Sequence, residues 1–262
     1  MTNNLVSIIM PSYNCGQFVE EAIRSVQAQT YPNWEIIFLD DCSTDDTIRL
    51  VSEMRENDPK IHLFQNRCNL GAAVSRNNAL REAKGRWIAF LDSDDLWEPT
   101  KLEKQVRFME ENGYKFSYTC YQEMDANGNL TGVEVSGPKH ITKSGMFAFC
   151  WPGCLTVMYD VTAVGLIQIE DIKKNNDYAM WLKVCQKADC YLLPENLAKY
   201  RRGRRGSVSS HRIITMIKWH YKLFHEAEKM GVITSLWHTG VNLVCGSYKK
   251  MKYVKKTKKE QS

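Results

Sequence analysis

Three carboxylates within four residues, Asp92, Asp94 and Asp95, follow directly on the apolar run Trp87-Ile88-Ala89-Phe90-Leu91. Acids this close repel one another unless a cation compensates them. Their hard oxygens suit Mg2+ or Mn2+, ions that keep several waters and bridge substrate phosphates. A second acidic pair, Asp40-Asp41, ends another apolar run, Trp34–Leu39. A continuous apolar run predicts a strand buried on both faces. In open α/β sheets ligands bind at the carboxyl ends of the strands. Two acidic clusters at one sheet edge therefore predict a shared pocket for a metal-bound, phosphate-bearing ligand. For either cluster alone, an acidic turn that caps the next helix is the plainer alternative.

The elements that must position these acids are legible in order. Leu5–Met10 is a first buried strand, ended by Pro11-Ser12-Tyr13-Asn14. A helix is expected over Gln17–Gln29, starting near Asn14 or Gly16, with Phe18, Ala22, Ile23 and Val26 on one face. After the second strand, Ser43 is placed to cap a helix, with Asp46 three residues on. Ile61–Phe64 is a third strand, and Ala72–Lys84 a helix stopped by Gly85. Pro99 starts a helix that Gly113 ends, and Lys115–Gln122 is a fifth strand. Strands alternating with helices predict βαβ units and a mainly parallel sheet. No G-x-G-x-x-G or G-x-x-x-x-G-K-[ST] run occurs. A nucleotide is then expected to be held by side chains and a metal rather than a glycine cradle.

Composition narrows the class. The 262 residues are 44% hydrophobic and 25% charged, ordinary for a globular chain. There is no apolar run of membrane-spanning length and no leader-like start, so a cytoplasmic location is expected. Nine scattered cysteines without a C-x-x-C pair fit free thiols in a reducing compartment. The net charge of +5 is uneven. From Lys249 onward seven lysines face one glutamate, a surplus of +6, which leaves −1 for the rest.

Val6–Asn14, Asp40–Thr47, Asn69-Leu70-Gly71 with Arg76-Asn77, and Asp92–Asp95 together resemble family 2 glycosyltransferases in order and spacing. The likeness is specific over about residues 5–125 and looser to about 210. It implies the GT-A fold and transfer of a sugar from a nucleotide donor with inversion. The implied organisation is a catalytic unit over 1–210, with a nucleotide-sugar half to about 122 and an acceptor half from about 123. A helical extension with a basic tail would fill 211–262. By the same resemblance Pro11, Tyr13 and Asp41 form the wall for a uracil base, and Arg76 lies near base and phosphates. Asp92 and Ser93 would border the ribose, while Asp94 and Asp95 would hold Mn2+ or Mg2+. An aromatic face and a carboxylate acceptor do suit a uracil with its one imide N–H.

The second half carries the acceptor side. Asp125–Asn129 reads as a hairpin tip, and Trp151–Tyr159 as a turn then a strand. Trp151 is either a platform for a sugar ring or a core tryptophan. Asn176-Asp177-Tyr178 and Trp181 resemble the family's acidic pair before a tyrosine and a tryptophan, which makes Asp177 the implied general base. Asn176 stands where the family usually has an acid, and the helix N-cap is a second role open to Asp177. Asn176 and Trp181 are the other implied acceptor residues. Arg201, Arg202, Arg204 and Arg205 beside Gly203 and Gly206 form a basic loop that suits a diphosphate. Nucleic acid or phospholipid is the alternative partner for that loop, and nucleic acid is not the partner expected.

Ile213–Gly231 reads as a helix, and Gly231–Tyr248 contains no charged side chain except the option of His238. That stretch is too polar to span a bilayer. It is expected either to lie in a membrane interface ahead of the lysines or to pack on the body. The reading that results is an inverting, metal-dependent transferase using a UDP-sugar. Its acceptor would be a saccharide of a surface polysaccharide, carried on polyprenyl diphosphate at the inner membrane face. The rivals are a metal-dependent nucleotidyltransferase, which would want a glycine- and lysine-rich first loop, and a catalytically silent sugar-nucleotide-binding protein.

Overall fold

The computed structural model describes residues 2–203 and 213–256. Strands β1 (Thr2–Ser12), β2 (Trp34–Asp40), β3 (Ile61–Gln65) and β4 (Gly85–Phe90) run parallel in the order β3-β2-β1-β4. Helices α1 (Val19–Gln27), α2 (Thr47–Asn57) and α3 (Ala72–Glu82) make the crossovers. The chain continues through β5 (Leu96–Trp97), α4 (Lys101–Asn112), β6 (Phe116–Met124), β7 (Leu130–Val135), β8 (His140–Ile141) and α5 (Lys143–Ala148). Then come β9 (Met158–Asp160), α6 (Val161–Val164), α7 (Asn176–Cys185) and β10 (Cys190–Arg201). The described chain ends with α8 (Ile213–Lys222), a π turn at Leu223–Ala227, α9 (Val232–Lys252) and β11 (Val254–Lys256).

Short β9 lies antiparallel between β4 and β6, so β6 recovers the direction of β4. β10 runs parallel to β6, and β7 and β11 extend the far edge. The apolar runs are buried on both faces with a period of two. Ile9, Ile37, Leu39, Ile88 and Phe90 enter one core, while Ile8, Met10, Ile36, Phe38, Trp87 and Ala89 enter the other. The mixed α/β architecture expected from the sequence is thus present. The C-terminal segment adds a strand, β11, to the sheet beside β7.

Several boundaries differ for physical reasons. Gly113 ends α4 as expected: at φ 69° it lets Tyr114 N–H reach Met109 O and Gly113 N–H reach Glu110 O, a Schellman pair. Gly85 does not cap α3, which ends at Glu82. It opens β4 where a Cβ would lie 2.5 Å from Leu5 O, so only glycine lets β4 approach β1 there. The cap residue of α2 is Asp46, not Ser43, and α1 starts after Phe18 rather than near Asn14 or Gly16. The polar groups of both loops are spent on each other, as described below.

Lys101 on α4 is fully buried. Its Nζ donates to Gln105 Oε1 at 2.8 Å and sits 4.0 Å from the Trp97 ring. Burial pushes its pKa down from 10.5 to about 7. Between those values the unfolded chain binds the proton and the folded chain releases it, so stability rises with pH across that window. At and below about pH 7 the cost of the buried ammonium is fully present. Lys101→Met is therefore expected to raise Tm at neutral and lower pH and to flatten the rise on the alkaline side. Thermal unfolding across a pH series checks this; a variant with an unchanged curve would remove Lys101 as the cause.

Candidate active site

The loops after β1 and β2 are laced together by side-chain oxygens. Asn14 N–H donates to Ser43 Oγ at 2.8 Å, Cys15 N–H to Thr47 Oγ1 at 2.9 Å, and Gly16 N–H to Asp45 Oδ2 at 2.9 Å. Thr44 N–H returns a bond to Asn14 Oδ1 at 2.9 Å. Asn14 and Cys42 hold positive φ angles of 50° and 66°, conformations that cost a non-glycine residue energy and cluster at functional sites. Above this framework Tyr13 stands 47% exposed beside half-buried Pro11, so an aromatic face is open at the strand edge.

Asp41 is largely spoken for. Oδ1 accepts from Asn66 Nδ2 at 2.9 Å and Leu70 N–H at 2.8 Å, and Oδ2 accepts from Gly71 N–H at 2.8 Å. The carboxylate thus ties down the Asn69-Leu70-Gly71 turn, where Gly71 has φ 86°. With about four lone-pair sites on a carboxylate, one on Oδ2 is left for a ligand N–H. Ser12 was not singled out from the sequence, whereas Asp40 was read there as one of the acidic pair. Ser12 and Asp40 are register partners on β1 and β2. Ser12 Oγ and Asp40 Oδ1 are buried with no hydrogen-bond partner. Such atoms cost about 1–3 kcal/mol each until something satisfies them. A buried serine and acid at adjacent strand ends was the available signal.

The acids after β4 form a tight turn in which Asp95 N–H donates to Asp92 O at 3.0 Å. Ser93, Asp94 and Asp95 are buried, while the Asp92 side chain is 38% exposed. Arg201, expected in the diphosphate loop, instead builds this turn from behind. Its N–H donates to Asp95 Oδ1 at 2.8 Å and its Nε to Asp94 O at 2.8 Å. Its guanidinium also donates to Ala126 O and pairs with Glu21 at 2.6 Å, 4.8 Å from the Phe18 ring. It is 3% exposed, and each of its guanidinium nitrogens already has a partner in the fold. Among the described residues no set of three or more His, Cys, Asp and Glu side chains could close around a metal. The carboxylates present fit a hard cation in the other mode, in which the protein gives one or two oxygens and ligand phosphates the rest.

A third element converges here. Arg76 on α3 is buried and donates to Asn176 Oδ1, to Asp92 Oδ1 at 3.3 Å and to Cys154 Sγ at 3.6 Å. Its Nε is buried without a partner. One guanidinium therefore joins the turn after β4, the 3-10 turn Cys154–Thr156 and the start of α7. Asn176 is its acceptor and adds no negative charge, which gives the amide at this position a structural reason. Asp177 is the second residue of α7, not its cap; the cap position is Asn175, at φ 58°. Asp177 Oδ1 accepts from Tyr178 N–H at 2.8 Å. Burial raises the Asp177 pKa above the ordinary carboxylate value, with Arg76 acting in the opposite direction.

The aromatic candidates are not ligand platforms. Trp181 is fully buried against Phe90 and Phe116. Trp151 is buried between Phe149 and Tyr253, with its indole N–H on Gly145 O at 3.0 Å. Both complete the core because α7 and the Trp151 turn pack on the sheet. Arg202 is exposed and pairs with Glu123 at 2.9 Å. Arg204 and Arg205 lie outside the described residues. Lys249, counted from the sequence as the first lysine of the basic tail, turns inward on α9 and donates to Trp151 O at 2.6 Å. Burial lowers its pKa, while Cys150 and Asp177 act to raise it. The signal was the spacing of Ser235, Thr239, Asn242, Gly246 and Lys249, a polar stripe at alternating steps of four and three.

The chain resembles known proteins over nearly its whole length. It is 39% identical over 240 residues to a putative teichuronic acid biosynthesis glycosyltransferase of Bacillus subtilis, covering 90% of this chain and 94% of that one. It is 40% identical over 214 residues to an Escherichia coli UDP-Glc:alpha-D-GlcNAc-diphosphoundecaprenol beta-1,3-glucosyltransferase, covering 82% and 83%. Among solved structures, S. aureus TarS 1-349 in complex with UDP-GlcNAc superposes with a TM-score of 0.69 at 20% identity, covering 94% of this chain and 74% of that one. A mannosyltransferase from Pyrobaculum calidifontis in complex with GDP-Man and Mn2+ gives 0.65 at 18% identity, covering 93% and 75%. These two likenesses establish the GT-A fold. The model of glycosyl transferase family 2 matches residues 7–147. A matching family model over the nucleotide half and relatives of this identity across the rest lead to one conclusion: this chain is a glycosyltransferase of family 2.

Proposed function

We propose that the chain moves a sugar from a UDP-sugar to a saccharide borne on a polyprenyl diphosphate, with inversion, in the assembly of a surface polysaccharide. The observation that carries this reading is the meeting of Asp92, Arg76 and the Asn176-Asp177 pair at the carboxyl edge of the sheet. The names of the Escherichia coli relatives supply the donor and the acceptor class, and the name of the Bacillus subtilis relative the polysaccharide context.

In this mechanism Tyr13 stacks on the uracil, and the remaining lone pair of Asp41 Oδ2 accepts its imide N–H. Asp92 and Ser93 border the ribose. Asp94 and Asp95 would hold Mn2+ or Mg2+, whose charge supports departure of the diphosphate. The acceptor hydroxyl attacks the anomeric carbon from the face opposite the diphosphate. Its proton passes to Asp177, the new C–O bond forms as the C–O bond to phosphate breaks, and UDP leaves. One displacement inverts the configuration without an enzyme nucleophile. Arg202 would supply positive charge to the leaving diphosphate. A lipid-linked acceptor puts the reaction at a membrane surface, on the cytoplasmic side where UDP-sugars are made.

A panel of labelled sugar nucleotides tests the reading. UDP release from one UDP-sugar, accelerated by a diphosphate-linked acceptor, is the expected result. Diphosphate release from a nucleoside triphosphate would make the protein a nucleotidyltransferase, and binding without turnover a silent partner. In the same assay Asp94→Ala is expected to weaken Mn2+-dependent UDP binding by at least about tenfold, the scale for one charged contact. Its Tm should stay near wild type. Unchanged UDP affinity with metal present would remove Asp94 from the site.

A further inference from the structure

Helix α9 is built inside out for a water-soluble protein. The three residues it buries, Ser235, Thr239 and Asn242, are all polar. Ser235 Oγ donates to Gly231 O and Thr239 Oγ1 to Ser235 O within the helix, while Asn242 Nδ2 reaches across to Tyr178 Oη at 2.8 Å. Most of its large apolar side chains face outward instead. Ile233 is 84% exposed, Trp237 70%, Val244 71% and Met251 80%, with Leu236 and Tyr248 also exposed. Ile233, Trp237, Gly240, Val244, Ser247 and Met251 follow one another at steps of three and four, so they form a single stripe. Helix α8, which packs on α9, exposes Ile214, Met216 and Ile217 as well. A soluble protein does not keep a contiguous apolar helix face in water without a partner for it.

The flanking charge identifies the partner. Lys250, Lys252, Lys255 and Lys256 follow the stripe at the end of α9 and on β11, all exposed. No helix among the described residues is long and apolar enough to cross a membrane. An apolar stripe with an exposed tryptophan and a cluster of lysines at one end is the pattern of a helix lying in a lipid headgroup layer. We infer that the outer face of α9 docks on an anionic bilayer surface, with Ile233, Trp237 and Val244 entering the acyl boundary. This deepens the reading of a lipid-linked acceptor and rests on it for its purpose, though not for its test. The inner face of the same helix fastens the site: Asn242 holds Tyr178, next to Asp177, and Lys249 reaches Trp151. The docked helix therefore sets the height of Asp177 above the bilayer.

Flotation with vesicles of phosphatidylcholine, with and without phosphatidylglycerol, tests the inference on the full chain in the absence of donor and acceptor. Binding to the anionic vesicles is expected, weakened by about 0.5 M salt, which screens the lysines but not the apolar stripe. The double variant Ile233→Asp with Trp237→Asp is expected to bind at least about tenfold more weakly, since both side chains leave the interface. Hydrolysis of UDP-sugar by that variant should match wild type, which shows that it is folded. Quenching by brominated lipid should be lost in Trp237→Phe if Trp237 is the inserted residue. Failure of wild type to float at low salt overturns the inference. So does unchanged binding by the double variant, or a wild-type dimer that this variant splits, which would make a second copy the occupant. If vesicles bind but no UDP-sugar is turned over, the docking surface stands and the proposed reaction falls.

Discussion

Asp177→Asn is expected to lower the rate of sugar transfer by about 10²–10⁴-fold, the usual contribution of a positioned general base. UDP-sugar affinity should be nearly unchanged, because the groups proposed for the base, ribose and metal stand at the ends of β1 and β2 and in the turn after β4. The amide keeps the shape of the side chain, and its oxygen can still accept from Tyr178 N–H. Two readouts separate a chemical role from a structural one. Burial raises the Asp177 pKa, so the wild-type rate should fall as the pH drops through that raised value and protonates the base. The variant should lack this limb. The second readout is stability. An acid whose folded pKa is raised holds its proton more tightly in the folded state, so its contribution to stability declines as pH rises through the shifted range. Replacing it by a neutral amide removes that penalty, and Asp177→Asn should unfold at or above the wild-type Tm at neutral pH. Lower activity with undiminished stability is the signature of a group kept for function. Transfer at the wild-type rate would leave Asp177 as a packing residue of α7.

The contrast between Asp177 and the nearby tryptophans shows where the sequence was readable. Apolar runs ending in acids are local patterns, and β1, β2 and β4 appear where those runs lie. Positions of charge at strand ends follow from the same runs, so the acidic edge was legible. What a polar side chain does once there depends on partners far away in sequence. Arg201 looked like a member of a basic loop, yet it contacts Asp94, Asp95, Ala126 and Glu21, none of them near it in the chain. Trp181 is a core residue rather than a sugar platform: its helix carries Tyr178, Leu182 and Val184 into the same core, and the periodicity around it is that of a buried helix.

The caps went the same way. Ser43 and Asp45 have the right chemistry for a helix start, but Asn14 and Gly16 offered them backbone N–H groups across the gap between β1 and β2. A sequence-local rule cannot see that competitor. The polar stripe of α9 was visible in the spacing, although which face of the helix would be buried was not. Hydrophobic periodicity alone predicts the apolar face inward, and the structure turns it outward.

Arg76→Met should cost about 10²–10³-fold in kcat/KM, the scale for losing one preorganised charged group from an enclosed site. The residue is buried and joins three segments: the turn after β4 through Asp92, the 3-10 turn through Cys154, and the start of α7 through Asn176. Its charge also opposes the effect of burial on Asp177. Without that charge the Asp177 pKa should climb further, and the acidic limb of the pH–rate profile should move to higher pH. Arg76→Lys distinguishes charge from geometry. A lysine keeps the positive charge but is a single compact donor, and cannot serve Asn176, Asp92 and Cys154 together as a planar fork does. It should therefore hold the acidic limb near its wild-type position while still losing rate. A general packing defect would lower the rates of both variants and leave both profiles where they were. Rate and profile are measured on the same samples, with Tm recorded to show that each is folded. Coincident pH profiles for wild type, Met and Lys variants would mean that Arg76 does not act on Asp177, and the coupling between α3 and α7 would then be mechanical only.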